Sequence, residues 1–589
     1  MKVMKKLTYI AACACIWGFS SCADMFLDLE PQDTKTDVVY FQTPEHFREY
    51  ATGLYGQLLG WQSRYGSIFD YMDCSSDLST YFSNNLDIGF GKIMVGSNDV
   101  RWDNCYANIR AVNMLFQKAE SYGGDQSDLS QSLGEGYFFR AYSYFYLLKF
   151  FGGVPIVTTV LDVDSPELRA SRNSRYEVVD LILSDLDKAI EYLPNEQNIP
   201  SEDKGRISKG GAEAFKARVL LYEATWRKYN GTSTDFEGSA GPESDQVNAF
   251  LEEAIALCDE VMADPVYSLW NYNSVAAMQN MSNRYLFCIE NEGSNPAGKG
   301  KDTNKEFILY SVYDQKTRPA SIDLTQTVWK LTPSRKLIDM FVCTDGLPID
   351  KSPKFQGYQV RGDEFKNRDY RLKSYIGTPD SNTKLTGGNA GYIPYKFTLY
   401  GRNTTNKDEY SNYPVLRLAE VYLNYAEAVY ERYGEITNEQ LNKSINKLRS
   451  RAGVAALTNE LVSGNGLDML TEIRRERTVE LYMEGFRYDD LKRWGKMEEE
   501  LNESRCGMVV GEAGYPTDFV DNEGNAILSE YTPNVYIWGT EKVETGKGMH
   551  EAVVLAGKSD IQVSKSDYLW PIPQRQIDLN PNLVQNPGY

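Results

Sequence analysis

Four glutamates recur at every fourth position in TEIRRERTVELYMEGFRYDDLKRWGK (471–496): Glu472, Glu476, Glu480 and Glu484. Paired carboxylates are the usual apparatus for acid–base cleavage of a glycosidic bond. On a helix, residues four apart have Cβ atoms about 5–6 Å apart, near the roughly 5–5.5 Å between the two carboxyl groups of a retaining glycosidase. A general acid also needs a raised pKa, and here Arg474, Arg475, Arg477 and Arg487 interleave with the row. Guanidinium groups push carboxylates the other way, so the pattern predicts a structural ion-pair network.

Other reactive residues are scarce. The only histidines are His46 and His550, so no HExxH motif or clustered histidine site can be built, and any Ser-His-Asp arrangement would have to use one of these two. Of nine cysteines, Cys13 and Cys15 lie in an apolar N-terminal run. Cys22 follows that run, and the other six are scattered with no CxxC, as expected of buried small hydrophobes. No spacing resembles a calcium loop, and no cofactor is implied.

The elements that must position any site are mostly helical. Apolar periodicity predicts helices at about 43–59, 100–121, 127–151, 175–192, 208–229, 246–263, 414–433, 437–452 and 468–500. The first is entered from Thr43 with Pro44 at its first position. The third, in GEGYFFRAYSYFYLLKFFGGVPI (134–156), is so rich in Phe and Tyr that it must be central, and Gly152, Gly153 and Pro155 end it. Trp102, Tyr106, Ile109 and Asn113 share one face of the second helix. Ala-rich stripes in GGAEAFKARVLLYEA (210–224) and RLAEVYLNYAEAVYER (417–432) allow neighbouring helices to approach closely, as in tetratricopeptide-type pairs.

Between about 264 and 410 the periodicity fades into Gly-, Asn- and aromatic-rich text, with strand-like pieces YLFCIE (285–290) and FILYSVY (307–313). Residues 61–100 and 501–567 are similarly irregular. Loops on a rigid scaffold are where binding surfaces concentrate.

The N-terminus, MKVMKKLTYIAACACIWGFSSC, has a basic start, an apolar stretch from Leu7 to Phe19 and small residues before Cys22, the layout of a secretory signal. Removing Lys2, Lys5 and Lys6 with residues 1–21 leaves 59 basic against 82 acidic residues. Such an acidic chain is a poor partner for nucleic acid or anionic membrane surfaces.

Seven stretches in order resemble the SusD/RagB family, the outer-membrane nutrient-binding lipoproteins of Bacteroidetes polysaccharide-utilisation systems. They are a lipobox-like SSC followed by FLDLEP; the aromatic helix (134–156); ISKGGAEAFKARVLLYEA (207–224); YPVLRLAEVYLNYAEA (413–428); INKLRSRAGV (445–454); the glutamate-bearing stretch; and YLWPIPQRQIDLNPNLVQNPGY (568–589). The resemblance implies a mostly α fold, with about four tetratricopeptide-like helix pairs under a variable loop-rich region. It implies a signal peptide over residues 1–21, lipidation at Cys22 with a tether to residue 40, and a single domain over 41–589. It also implies no catalysis. The chain is expected at the outer membrane, facing outward, as the lid of a SusC-like TonB-dependent transporter to which it delivers oligosaccharide or polysaccharide. Peptide is the alternative cargo. The Pro-rich closing stretch is expected to lie extended across the helices.

A sugar ring offers an apolar face and a rim of hydroxyls, so a glycan site needs exposed aromatic platforms beside polar side chains. In this family such residues come from loops and are not encoded by a motif. From the sequence the candidates are Tyr81, Phe82, Asn84 and Asn85 in STYFSNNLDIGF, Trp270 and Tyr272 in YSLWNYN, and Tyr310, Tyr313 and Trp329. Each aromatic has ordinary core packing as its alternative.

Overall fold

The aromatic helix sets the architecture. A computed structural model describes residues 40–589 apart from 63–64, 82–87, 234, 359–361, 378–391, 402–406 and 511–539. Its principal helices are α1 (Pro44–Leu54), α2 (Val100–Glu120), α3 (Ser130–Phe151), α4 (Arg175–Tyr192), α5 (Lys209–Asn230), α6 (Val247–Ala263), α7 (Leu418–Tyr433), α8 (Met469–Glu480) and α9 (Arg487–Arg493). From α2 to α6 each helix packs on the next, and α7 closes against α6, giving the layered array that the Ala-rich stripes predicted. One buried apolar cluster runs through these helices from Phe41 to Leu583.

α3 is buried on nearly every side: Phe138, Phe139, Tyr142, Tyr144 and Phe151 are all fully buried. Gly136 lets α2 approach, since a Cβ there would lie 2.9 Å from the Phe116 ring and 3.0 Å from Leu115. Trp102 on α2 packs edge-on against Phe151 with ring centroids 5.2 Å apart, so its helix face is structural, as expected. Gly152 ends α3 at φ 75°.

The closing stretch caps α3 through hydrogen bonds. The Trp570 N–H donates to the Phe150 carbonyl (2.6 Å), and Asn586 Nδ2 and an Arg172 guanidinium nitrogen both donate to the Phe151 carbonyl (3.0 and 2.9 Å). These are carbonyls a helix end leaves without an intrahelical partner. The stretch lies across the helices as expected, although Gln574–Leu579 forms a short helix within it.

The sequence predicted one helix over 468–500, and the structure breaks it. α8 stops at Glu480, Met483 takes a left-handed φ of 63°, and α9 begins at Arg487. α9 is held by Arg493, which grips Glu427 on α7 with two hydrogen bonds (2.6 and 2.7 Å) while donating to Thr225 on α5 (3.0 Å). Burial raises the Glu427 carboxyl, but Arg493, helped by Arg477 and Arg474, outweighs it and holds the pKa down to about 2. A group whose folded pKa is depressed contributes stability above its unfolded pKa and loses it as pH falls through the folded one. The free energy of unfolding is therefore expected to drop between about pH 4.5 and pH 2, and urea titrations across that window should show a shallower drop in Glu427→Gln.

Sheets are small. β1 (Ser79–Tyr81) pairs antiparallel with β3 (Leu331–Pro333), β2 (Phe307–Ser311) with β6 (Tyr413–Arg417), and β4 (Ile376–Gly377) with β5 (Ile393–Pro394). β7 (Arg505–Val510), β9 (Gly548–Ala556) and β8 (Thr540–Thr545) form a three-stranded sheet in that order, inside a region read as irregular. FILYSVY supplies β2 as expected. YLFCIE does not form a strand: it makes helical turns at Ser282–Tyr285 and Leu286–Cys288, and its continuous burial carries no period that separates the two.

Candidate functional site

The glutamate row forms the charged centre of the scaffold. Glu480 accepts from Arg417, Arg451 and Arg371, each at 2.8 Å. Glu484 binds Arg417 (2.7 Å) and Lys396 (2.6 Å), and Glu476 binds Arg371 (2.6 Å) and Arg449 (3.3 Å). Glu306 and Asp369 complete the set through Arg417, Arg451 and Arg371. Burial opposes ionisation of Glu480, but Arg451, Arg417 and Arg371 outweigh it and hold its carboxyl far below the usual range. The carboxylates lie in the interior, locked as acceptors, so none is arranged as a general acid. Glu472 is the exception in direction: burial raises its pKa against the pull of Arg475, and it too is almost wholly buried.

The histidines do not meet. His46 lies against the Tyr40 ring and His550 against the Tyr358 ring, with centroids 5.0 and 4.9 Å apart. Among the described residues no cluster of His, Cys, Asp and Glu could hold a metal ion. The six described cysteines are buried free thiols.

The aromatic candidates separate by exposure. Trp270 is 2% exposed: its indole N–H donates to the Thr303 hydroxyl (3.2 Å), and its backbone N–H to Glu306 (2.9 Å), beside the charged centre. It presents no face to solvent, contrary to the exposed platform expected there. Tyr313 is likewise buried, its hydroxyl accepting from the Trp61 backbone N–H at 2.8 Å. Tyr310, on β2, is half-buried, and burial pushes its hydroxyl up to about 12. Tyr272 is half-buried under the Lys299 ammonium, 5.2 Å from the ring centroid. Phe82, Asn84, Asn85 and the lipidation candidate Cys22 lie outside the described residues.

Trp329 and Tyr81 are placed differently. Trp329 is 45% exposed at the end of the short helix Leu324–Val328, and leads directly into β3. In the β1–β3 ribbon Tyr81 pairs with Leu331, so the end of β1 and Trp329 occupy the same end of the ribbon. The Tyr81 ring stacks on Phe69 with centroids 4.2 Å apart and planes inclined by 28°. Sequence reasoning missed Tyr400, which is 40% exposed. The Trp329 N–H donates to the Thr325 carbonyl, and the Thr325 hydroxyl accepts from the Leu399 N–H (3.1 Å), so Thr325 brings Trp329 and Tyr400 to one neighbourhood. Tyr400 also packs edge-on against Tyr285, centroids 5.3 Å apart. Gln326 and Lys330 are exposed on the same short turn as Trp329 and can offer hydrogen bonds to a ligand seated on the indole.

The ribbon is fastened to the scaffold from below. Asp77 takes two hydrogen bonds from Arg487 (2.8 and 2.7 Å) and a salt bridge from Lys336 (2.8 Å), and the Ser334 hydroxyl donates to the Asp77 carbonyl (2.7 Å). Asp73 accepts from the Met483 N–H (2.6 Å), although burial pushes its carboxyl up to about 7. The left-handed turn after α8 thus supplies a backbone donor to Asp73, in the segment that leads into β1. Such support gives an exposed platform a fixed position.

The SusD family matches residues 287–589, and a family described as "Starch-binding associating with outer membrane" matches residues 25–221. The chain belongs to the SusD family. A SusD-like protein of Bacteroides ovatus is 24% identical over 611 residues, spanning 99% of this chain and 97% of its own. SusD-like protein P25 of Formosa agariphila is 23% identical over 84% of this chain and 90% of its own length. Among solved structures, a SusD-like carbohydrate binding protein of Bacteroides fragilis superposes with a TM-score of 0.68 at 22% identity, over 92% of this chain and 99% of that one. A laminarin binding SusD-like protein does so with a TM-score of 0.56 at 19% identity, over 93% and 100%. This SusD-family chain therefore shares their mostly helical fold.

Proposed function

We propose that this protein is a non-catalytic receptor that captures oligosaccharide or polysaccharide at the outer membrane and passes it, as a lid, to a SusC-like TonB-dependent transporter. A lipid on Cys22 would hold it at the outward-facing surface. The observation that carries the reading is the pair of exposed aromatics, Trp329 and Tyr400, whose chain segments are tied together through Thr325 on a SusD-family scaffold. Two flat rings with Gln326 and Lys330 beside them suit stacked sugar rings with a hydroxyl rim, and suit a deeply enclosed small metabolite poorly. The names of the laminarin binding and carbohydrate binding relatives support the cargo class. The interior position of the glutamate row supports binding without cleavage.

The test is native electrophoresis of the chain from residue 23 onward in gels containing plant, fungal and host polysaccharides, with casein peptides as competitors. Retardation by a polysaccharide, with that polymer recovered uncleaved, is the expected result. Binding of the peptides alone would make peptide the cargo and overturn the glycan reading.

A further inference from the structure

A groove elsewhere in the fold shares no lining residue with the proposed glycan site. The groove, of about 790 Å³, is floored by Trp102, Tyr106 and Ile109 on α2 and walled by residues 155–169 and the short helix Gln574–Leu579. Its rim carries three large exposed apolar side chains among charged ones such as Asp164, Glu167 and Arg169: Val163 is 90% exposed, Leu579 60% and Leu168 47%. Large apolar side chains gathered around one groove mark a surface that something covers.

The path of the chain points to the occupant. The described chain begins at Tyr40, where Phe41 packs on Phe47 and Tyr50 with centroids 5.0 and 5.1 Å apart. The Tyr50 hydroxyl donates to the Ala111 carbonyl (3.0 Å) on α2. The preceding residue, Arg110, lines the groove and donates to the Leu161 carbonyl (2.6 Å) in its wall. The N-terminal segment therefore enters the fold at one end of the groove. Between Cys22 and Tyr40 the sequence is mostly polar and acidic, and apart from Ala23 and Val38–Val39 its large apolar residues gather in MFLDL (25–29), in which Met25, Leu27 and Leu29 alternate with Phe26 and Asp28. In an extended chain those three side chains share one side. From Leu29 to Tyr40 the chain can reach about 36 Å, against roughly 14 Å along α2 from Ala111 to Trp102. The family match over the N-terminal half, moreover, begins at residue 25 and not at residue 40.

We propose that Met25–Leu29 docks in extended form along this groove, with Met25, Leu27 and Leu29 turned onto its apolar floor and rim. Where Cys22 carries a lipid, docking shortens the free leash from 18 residues, with a reach of about 60 Å, to three residues and about 10 Å, and turns the groove face toward the membrane. That consequence rests on the lipid-anchor reading; the docking does not.

The chain from residue 23 onward, which retains the segment, provides the test. Hydrogen exchange of amides in 157–169 should be at least about fivefold slower in the wild type than in Leu27→Ser/Leu29→Ser. In a second measurement, Leu27→Cys/Val163→Cys should form an intramolecular disulfide much faster than Leu27→Cys/Tyr433→Cys, since Tyr433 is 55% exposed elsewhere and the six described native thiols are buried. Equal exchange in the two chains and equal disulfide rates would overturn the docking. So would protection of 157–169 that grows with protein concentration in both chains, which would make a second copy the occupant.

Discussion

Replacing Glu480 with glutamine is expected to destabilise the fold by about 3–5 kcal/mol, the usual cost of removing one partner from a buried ion network. Five carboxylates (Glu306, Asp369, Glu476, Glu480, Glu484) and five cations (Arg371, Arg417, Arg449, Arg451, Lys396) are joined by ion pairs in this centre, so their charges balance. Glu480→Gln leaves one uncompensated positive charge where Arg371, Arg417 and Arg451 are each about 1% exposed. It also turns an amide N–H₂ toward an arginine that has only donors. Urea denaturation followed by circular dichroism should show the midpoint falling with little change in slope. An unfolding free energy within about 0.5 kcal/mol of wild type, the range of surface substitutions, would mean that the network is not what holds α8 to the β2–β6 ribbon.

Trp270→Ala is expected to cost a similar amount, about 3–5 kcal/mol, because it empties a fully buried indole site. It also removes the N–H that satisfies Thr303, and loosens the chain beside Glu306. Because Trp270 has no solvent-facing surface, whatever fraction of this variant stays folded at low temperature should bind glycan within about twofold of the wild type. Thermal unfolding and a binding assay on the same preparation separate the two effects. A variant with a normal melting curve and lost binding would return Trp270 to the site.

Trp270 and Trp329 show where sequence reasoning stops. Both sit in aromatic, Asn- or Thr-containing text without periodicity, and nothing within ten residues says which one is covered. Trp270 is buried by partners far away in sequence, including Arg451, whose guanidinium reaches its carbonyl from 181 residues on. The helices were legible because each carries its own apolar stripe and caps, such as the Ser174–Glu177 capping box of α4. The β1–β3 ribbon was not, since its strands are three residues long and about 250 apart. Tyr400 was missed for the same reason: its neighbour Leu399 is anchored by Thr325, 74 residues away in the chain. The glutamate row is structural, as expected, but not through the arginines interleaved with it: Glu476, Glu480 and Glu484 pair with Arg371, Arg417, Arg449, Arg451 and Lys396, while Arg474, Arg477 and Arg487 pair elsewhere and only Arg475 meets the row, at Glu472.

If cargo rests on the exposed rings around Thr325, isothermal titration of the retarding glycan into wild type and Trp329→Ala will show it most directly. A stacking platform at the centre of a site contributes about 2 kcal/mol, so affinity should fall roughly 30-fold while the melting temperature stays the same. Unchanged affinity in Trp329→Ala would contradict the account and move the site elsewhere.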